Sequence, residues 1–94
     1  MIHAIVRHNV KDFDAWKKVF DEDGVNRKIA SSKGGQVFRS LDDPNNVFIL
    51  IEYDDLDKAK KFFNSDGLKE AMKKAGVVGK PDIYLMDEGI RTKV

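Results

Sequence analysis

The chain has 94 residues, 41% of them hydrophobic, with 17 basic against 16 acidic side chains for a net charge of +1. That length supports one domain with a modest core, and the balanced charge supplies no field for nucleic acid or an anionic membrane. The absence of cysteine excludes disulfides, thiolate metal sites and cysteine nucleophiles, and fits a reducing compartment.

Residues 2–8, Ile-His-Ala-Ile-Val-Arg-His, are short, β-branched and alternating, which predicts a first strand. The charged alternation lacks the n-region and h-region of a signal peptide, and no apolar run is long enough to span a bilayer. A soluble cytoplasmic protein is expected. Asp12 is a good N-cap for a helix opening at Phe13. Phe13, Trp16, Val19 and Phe20 fall on one helical stripe, and Val25 and Ile29 continue its phase past Gly24, so the helix is expected to run on beyond a kink toward Ser31. Lys33-Gly34-Gly35 reads as its end and residues 36–41 as a second strand. The turn Asp42-Asp43-Pro44-Asn45 makes a hairpin into the most apolar run of the chain, Val47 to Ile51, closed by Tyr53. A run so short and so apolar belongs in the middle of a sheet.

Asp55 caps a further helix whose buried stripe is Leu56, Ala59, Phe62 and Phe63. Asn64-Ser65-Asp66-Gly67 breaks it. A short helix follows with Leu68, Ala71, Met72 and Ala75 inward, ended by Gly76 at an αL cap. Residues 78–81 read as a connector and residues 82–88 as the last strand. The order β-α-β-β-α-β predicts a ferredoxin-like α+β fold. One domain is expected over 1–94, its ordered core ending at about residue 88, with an antiparallel four-stranded sheet in the order 4-1-3-2 and the helices on one face. The other face would carry Ile5, Val37, Leu41, Phe48, Leu50, Tyr84 and Met86. A face that apolar does not stay in water, and stacking two of them gives a homodimer.

The segment Asn9-Val10-Lys11-Asp12-Phe13-Asp14-Ala15-Trp16-Lys17 after a strand, the hairpin Asp42-Asp43-Pro44-Asn45 and the segment Ala71-Met72-Lys73-Lys74-Ala75-Gly76-Val77 resemble the dimeric α+β barrel superfamily. The nearer resemblance is to its small cyclase-like and antibiotic-biosynthesis-monooxygenase-like members. It covers nearly the whole chain and contains no diagnostic catalytic signature. It implies a sheet-to-sheet dimer with a cavity in each subunit. Its range of activities is wide: cofactor-free oxygenases of phenolic substrates, haem-degrading enzymes, lactone isomerases and stress proteins. Fold alone does not choose among them. The haem-degrading branch carries a histidine on the second helix, and residues 56–76 here hold neither histidine nor tryptophan.

In the oxygenase-like relatives the cavity lies between helices and sheet. His8 shares that side of strand one with Ile2, Ala4 and Val6, so the resemblance implies His8, Asn9 and Trp16 as pocket residues. A histidine there could take a proton from a phenolic substrate. The plainer alternative is a core histidine bonded to backbone beside an ordinary packed tryptophan. On the opposite face, alternation gathers Arg7, Arg39 and Tyr84 near the hairpin end, where guanidinium forks suit a carboxylate or phenolate, or pair with acidic residues across the dimer. His3, Glu52 and Glu88 gather at the other end, a general-base or metal set by residue type, but without ligand spacing.

The lysines of residues 58–74 alternate with acids and read as a solvated face. No aromatic on strand one serves an RNA platform, and His8-Asn9-Val10-Lys11 is no phosphate loop. Two functions stand. One is a small-molecule enzyme without cofactor or metal, an oxygenase or isomerase of a hydrophobic aromatic or carbonyl compound, with His8 or Arg39 in its cavity. The other is a non-catalytic ligand-binding or stress-associated barrel.

Overall fold

β-branched residues alternating between two environments make the middle of the sheet. In the computed structural model, which describes residues 1–94, β1 (Ile2–Val10) buries Ala4, Val6, His8 and Val10, while β3 (Asn46–Tyr53) buries Val47, Ile49, Ile51 and Tyr53. The two pair antiparallel, His8 opposite Val47 and Ile2 opposite Tyr53. β2 (Ser32–Arg39) flanks β3 and β4 (Val77–Asp87) flanks β1, giving the order β2-β3-β1-β4. This is the expected ferredoxin-like α+β sheet, read from the other edge. No helix is long and apolar enough to cross a membrane.

Side-chain caps fix where the helices begin. Asp12 accepts from the Ala15 amide at the start of α1 (Phe13–Glu22), Asp55 from Lys58 at α3 (Leu56–Phe63), and Ser65 from Leu68 at α4 (Asp66–Lys74). Each satisfies an amide that the first turn would leave unpaired. The apolar stripe expected beyond Gly24 becomes a separate helix, α2 (Gly24–Ile29), because Asp23 at ψ 0° breaks the ladder. It has no side-chain cap and no buried residue. Ser31, at φ +77°, turns the chain into β2, and its hydroxyl accepts from the Asp55 amide at 2.9 Å. In α3, Ala59 is fully buried, but Leu56 lies 39% exposed at the first turn rather than in the stripe.

Both edge strands are longer than expected, and both contain an irregularity. Lys33-Gly34-Gly35 is not a helix stop but part of β2. Gly34 sits at φ +95° where the β2–β3 register shifts, and a Cβ on Gly35 would fall 1.8 Å from the Leu50 carbonyl oxygen. Likewise the 78–81 segment belongs to β4. Gly79 at φ +75° absorbs a register shift between Arg7 and Asn9, and Pro81 occupies a sheet edge, where no ladder donor is needed.

The β2 register reverses one expectation. Val37 pairs with Ile49 and Arg39 with Val47, so both lie on the helix side of the sheet. Phe38, opposite Phe48, takes the open face, and Leu41 lies beyond the strand and is fully exposed. The open face therefore carries Ile5, Phe38, Phe48, Leu50, Tyr84 and Met86. Only 12 of 94 residues are buried, and their apolar members form a single cluster between sheet and helices. Nothing within one chain covers the open face.

Candidate functional site: a cavity between helices and sheet

The spacing Phe13, Trp16, Phe20 puts three rings on the inner stripe of α1. They form a ladder, with ring centroids 5.5 Å apart for Phe13–Trp16 and 4.8 Å for the stacked Trp16–Phe20 pair. His8 meets Trp16 edge-on at 5.6 Å. Below the ladder lies a cavity of about 50 Å³ with 14 hydrophobic residues among the 17 that line it. The polar exceptions are His8, Asp23 and Arg27; Tyr53 adds a hydroxyl on an otherwise apolar ring.

Two of these groups are anomalous. His8 is 2% exposed and Tyr53 is fully buried, yet both His8 ring nitrogens and the Tyr53 hydroxyl lack any hydrogen-bond partner. Buried polar atoms are nearly always paired, because leaving one unpaired costs about 1–3 kcal/mol. Burial, with Arg7 nearby, pushes the His8 imidazole down to about 4, so it is neutral at ordinary pH with one nitrogen free to accept. Burial likewise pushes the Tyr53 phenol up to about 12, leaving it a neutral donor. From their strand positions the two are six residues apart, roughly 20 Å along the sheet. They mark opposite ends of one hollow.

Arg27 reaches over the Tyr53 end. Its guanidinium lies 3.6 Å above the Phe20 ring and donates through Nη1 to the Phe20 carbonyl at 2.8 Å. It makes no ion pair. Burial lowers its pKa, against the opposing pull of Asp23. Asp23, Phe62 and Leu68 are shared with an outer groove of about 410 Å³ between α2 and the α3–α4 pair, and Phe20, Arg27, Ile49 and Ile51 with a hollow of about 120 Å³ beside β2, so the cavity nears the surface on either side of α2.

Of the residues expected in the pocket, the fold brings together His8 and Trp16 and separates the other two. β1 continues to Val10, so alternation turns Asn9 to the exposed, open-face side. Arg39 is exposed on the rim, its guanidinium 3.8 Å over Phe13 and its Nε donating to the Pro44 carbonyl at 2.8 Å. It touches the ring ladder from outside and does not line the cavity. Nor do Arg7, Arg39 and Tyr84 gather as expected, since Arg39 is on the other side. Arg7 instead donates to Asp82 at 2.9 Å and to Asn46 at 2.8 Å. His3 stands between Glu88 at 3.4 Å and Glu52 at 3.9 Å, and its contact holds the Glu88 carboxyl below its usual range. No three histidine, aspartate or glutamate residues converge in a way that could hold a metal ion. From the sequence, Tyr53 is read only as the close of the central strand, and Arg27 is not singled out. Tyr53 was available in it as the inward-facing end of the central strand.

No protein-family profile matches the sequence, and no curated protein matches it significantly. Solved structures match the fold over almost the whole chain. SnoaB of Streptomyces nogalater, a cofactor-independent oxygenase, superposes with a TM-score of 0.77 at 12% identity, over 99% of this chain and 97% of that one. A Caulobacter crescentus protein provisionally named an antibiotic biosynthesis monooxygenase gives 0.73 at 21%, over 95% and 90%. A conserved protein of Methanosarcina mazei gives 0.73 at 16%, over 94% and 92%. The chain thus has the ferredoxin-like fold of the antibiotic-biosynthesis-monooxygenase-like structures, as its resemblance implied.

Proposed function

We propose that this protein takes up a hydrophobic aromatic or carbonyl-bearing small molecule between its helices and sheet, and oxygenates it without a bound cofactor. The observation that carries this is the pair of buried, unpartnered polar groups, His8 and Tyr53, in an otherwise apolar hollow. The likeness in fold to a cofactor-independent oxygenase supports the same reading. In this chemistry the neutral His8 imidazole accepts a proton from a phenolic hydroxyl or activated C–H, and the electron-rich anion so formed reduces dioxygen. An activated methylene then becomes a carbonyl while the second oxygen atom leaves as water. The hollow of about 50 Å³ is smaller than the roughly 150 Å³ that accepts a benzene ring. Entry therefore requires the wall nearest the surface, α2, to move outward. The test is oxygen consumption with phenolic aromatics: turnover in the wild type and its loss in His8→Phe support the reading, and equal rates in both defeat it.

The same burial that keeps His8 and Tyr53 neutral also penalises any ionised intermediate, which favours a second reading, a non-catalytic ligand-binding barrel. Saturable binding with no oxygen uptake would assign the protein to it. In either case the working unit is proposed to be a cytoplasmic homodimer closed through the open sheet face. At about 25 cal/mol per Å², covering Ile5, Phe48, Leu50 and Met86 is a sufficient drive. Sedimentation should show a dimer that Leu50→Glu splits; a wild-type monomer at micromolar concentration would contradict it.

A further inference from the structure

We propose that the open sheet face carries a proton switch: the dimer closes most tightly when His3 is protonated between Glu52 and Glu88, and loosens when that proton is lost. This rests on the sheet-to-sheet homodimer proposed above and adds the condition under which it forms. The register places His3 opposite Glu52 on β3 and Met86 on β4, so its ring stands on the open face. Its side chain is only 21% exposed within one chain, with Nε2 3.4 Å from Glu88 and Nδ1 3.9 Å from Glu52. A neutral imidazole has one N–H and can serve one of these carboxylates. Only the imidazolium, with two, serves both.

The surrounding charges leave the switch uncompensated. Arg91 donates to Glu88 at 3.3 Å. Lys33, which shares a shallow hollow with Glu52, is paired with Asp54 at 3.4 Å. The helices lie across the sheet from His3, and the amino group of Met1 is two residues away along the chain. At the far end of the face Arg7 and Asp82 pair at 2.9 Å and cancel. With His3 protonated, the group His3, Glu52, Glu88 and Arg91 sums to zero. Without that proton each subunit brings one net negative charge to a surface that closure strips of water, which is costly for an unpaired carboxylate. The closed dimer therefore binds the proton more tightly than the separate subunits do. Association strengthens as pH falls through the histidine range and weakens as it rises.

The composition makes this easy to read. The other histidine, His8, is buried on the helix side and pushed down to about 4, and there is no cysteine. The experiment is analytical ultracentrifugation of the full chain at pH 6 and pH 8. We expect the wild-type dimer Kd to be about tenfold lower at pH 6. His3→Gln should hold the weaker value at both pH values. Glu52→Gln, which removes the excess charge, should instead tighten the dimer at pH 8. These opposite directions cannot both come from damage to the fold. A wild-type Kd that is equal at the two pH values, or lower at pH 8, overturns the switch and leaves the dimer standing. A pH dependence that survives His3→Gln belongs to the amino terminus and also overturns it. A wild-type monomer at both pH values removes the dimer reading and this proposal with it.

Discussion

The two ends of the cavity share one sheet face yet are held in different ways. At the His8 end, the two elements that meet are well anchored: β1 is flanked by strands on both sides, and α1 is capped by Asp12 and locked by the buried Trp16. At the other end, Tyr53 sits on an equally central strand but faces α2, six residues with no side-chain cap and no buried side chain. Val25 and Ile29 of that helix are 67% and 71% exposed. Arg27 ties α2 to α1 through the Phe20 ring and carbonyl. A polar group on a rigid wall orients a ligand, and one under a loosely attached wall admits it. Under the proposed function, the contrast puts proton transfer at the first end and entry at the second.

Several substitutions would break or sharpen this contrast. Trp16→Ala should be the most damaging, costing about 4 kcal/mol as the ring ladder collapses, measured as the shift in urea midpoint. A comparable loss is expected from acid alone. His8 titrates near 6.5 when unfolded and near 4 when buried, so between those values the unfolded chain binds more protons. Stability should be full above about pH 6.5 and fall by roughly 3 kcal/mol on descending through pH 4. His8→Phe should flatten that slope, and an unaltered acid profile would show that His8 is not enclosed. At the other end Tyr53→Phe should raise stability, by about 1 kcal/mol, since it removes a buried hydroxyl with no partner. A loss of stability instead would mean that the hydroxyl is satisfied in solution. Smallest of all, Ile29→Gln on the outer side of α2 should change the melting temperature by less than that corresponding to about 0.5 kcal/mol.

The sequence shows the first end better than the second for physical reasons. His8 and Trp16 stand out because strand alternation and helical spacing are local rules, and each fixes a direction without knowledge of the partner. Asn9 was misplaced by a strand end two residues too early, which is enough to turn a side chain over. Arg39 and Val37 were assigned to the wrong face because Val-Phe-Arg reads equally well in either phase. Only pairing with Val47 and Ile49, past the irregularity at Gly34, sets it. Arg27 was invisible for a different reason. Among Asn26, Arg27 and Lys28 nothing local marks the residue that folds inward over Phe20, a tertiary contact across seven positions. The central strand, the Asp12 and Asp55 caps and the Gly76 turn follow from patterns within a few residues, and the strand order from the order of elements along the whole chain.

The irregular edges carry a consequence for how copies of this chain can meet. A regular outer strand offers a row of free amides and carbonyls on which another sheet can grow without limit. Here β2 is bent at Gly34, while β4 is irregular at Gly79 and loses a donor at Pro81. Lys33 and Lys80 place charge beside each defect. Both rims are thereby spoiled as templates for fibril-like extension, although the sheet surface remains apolar. In the homodimer proposed above, association falls instead to the surface, where one partner satisfies the demand and no third copy can add.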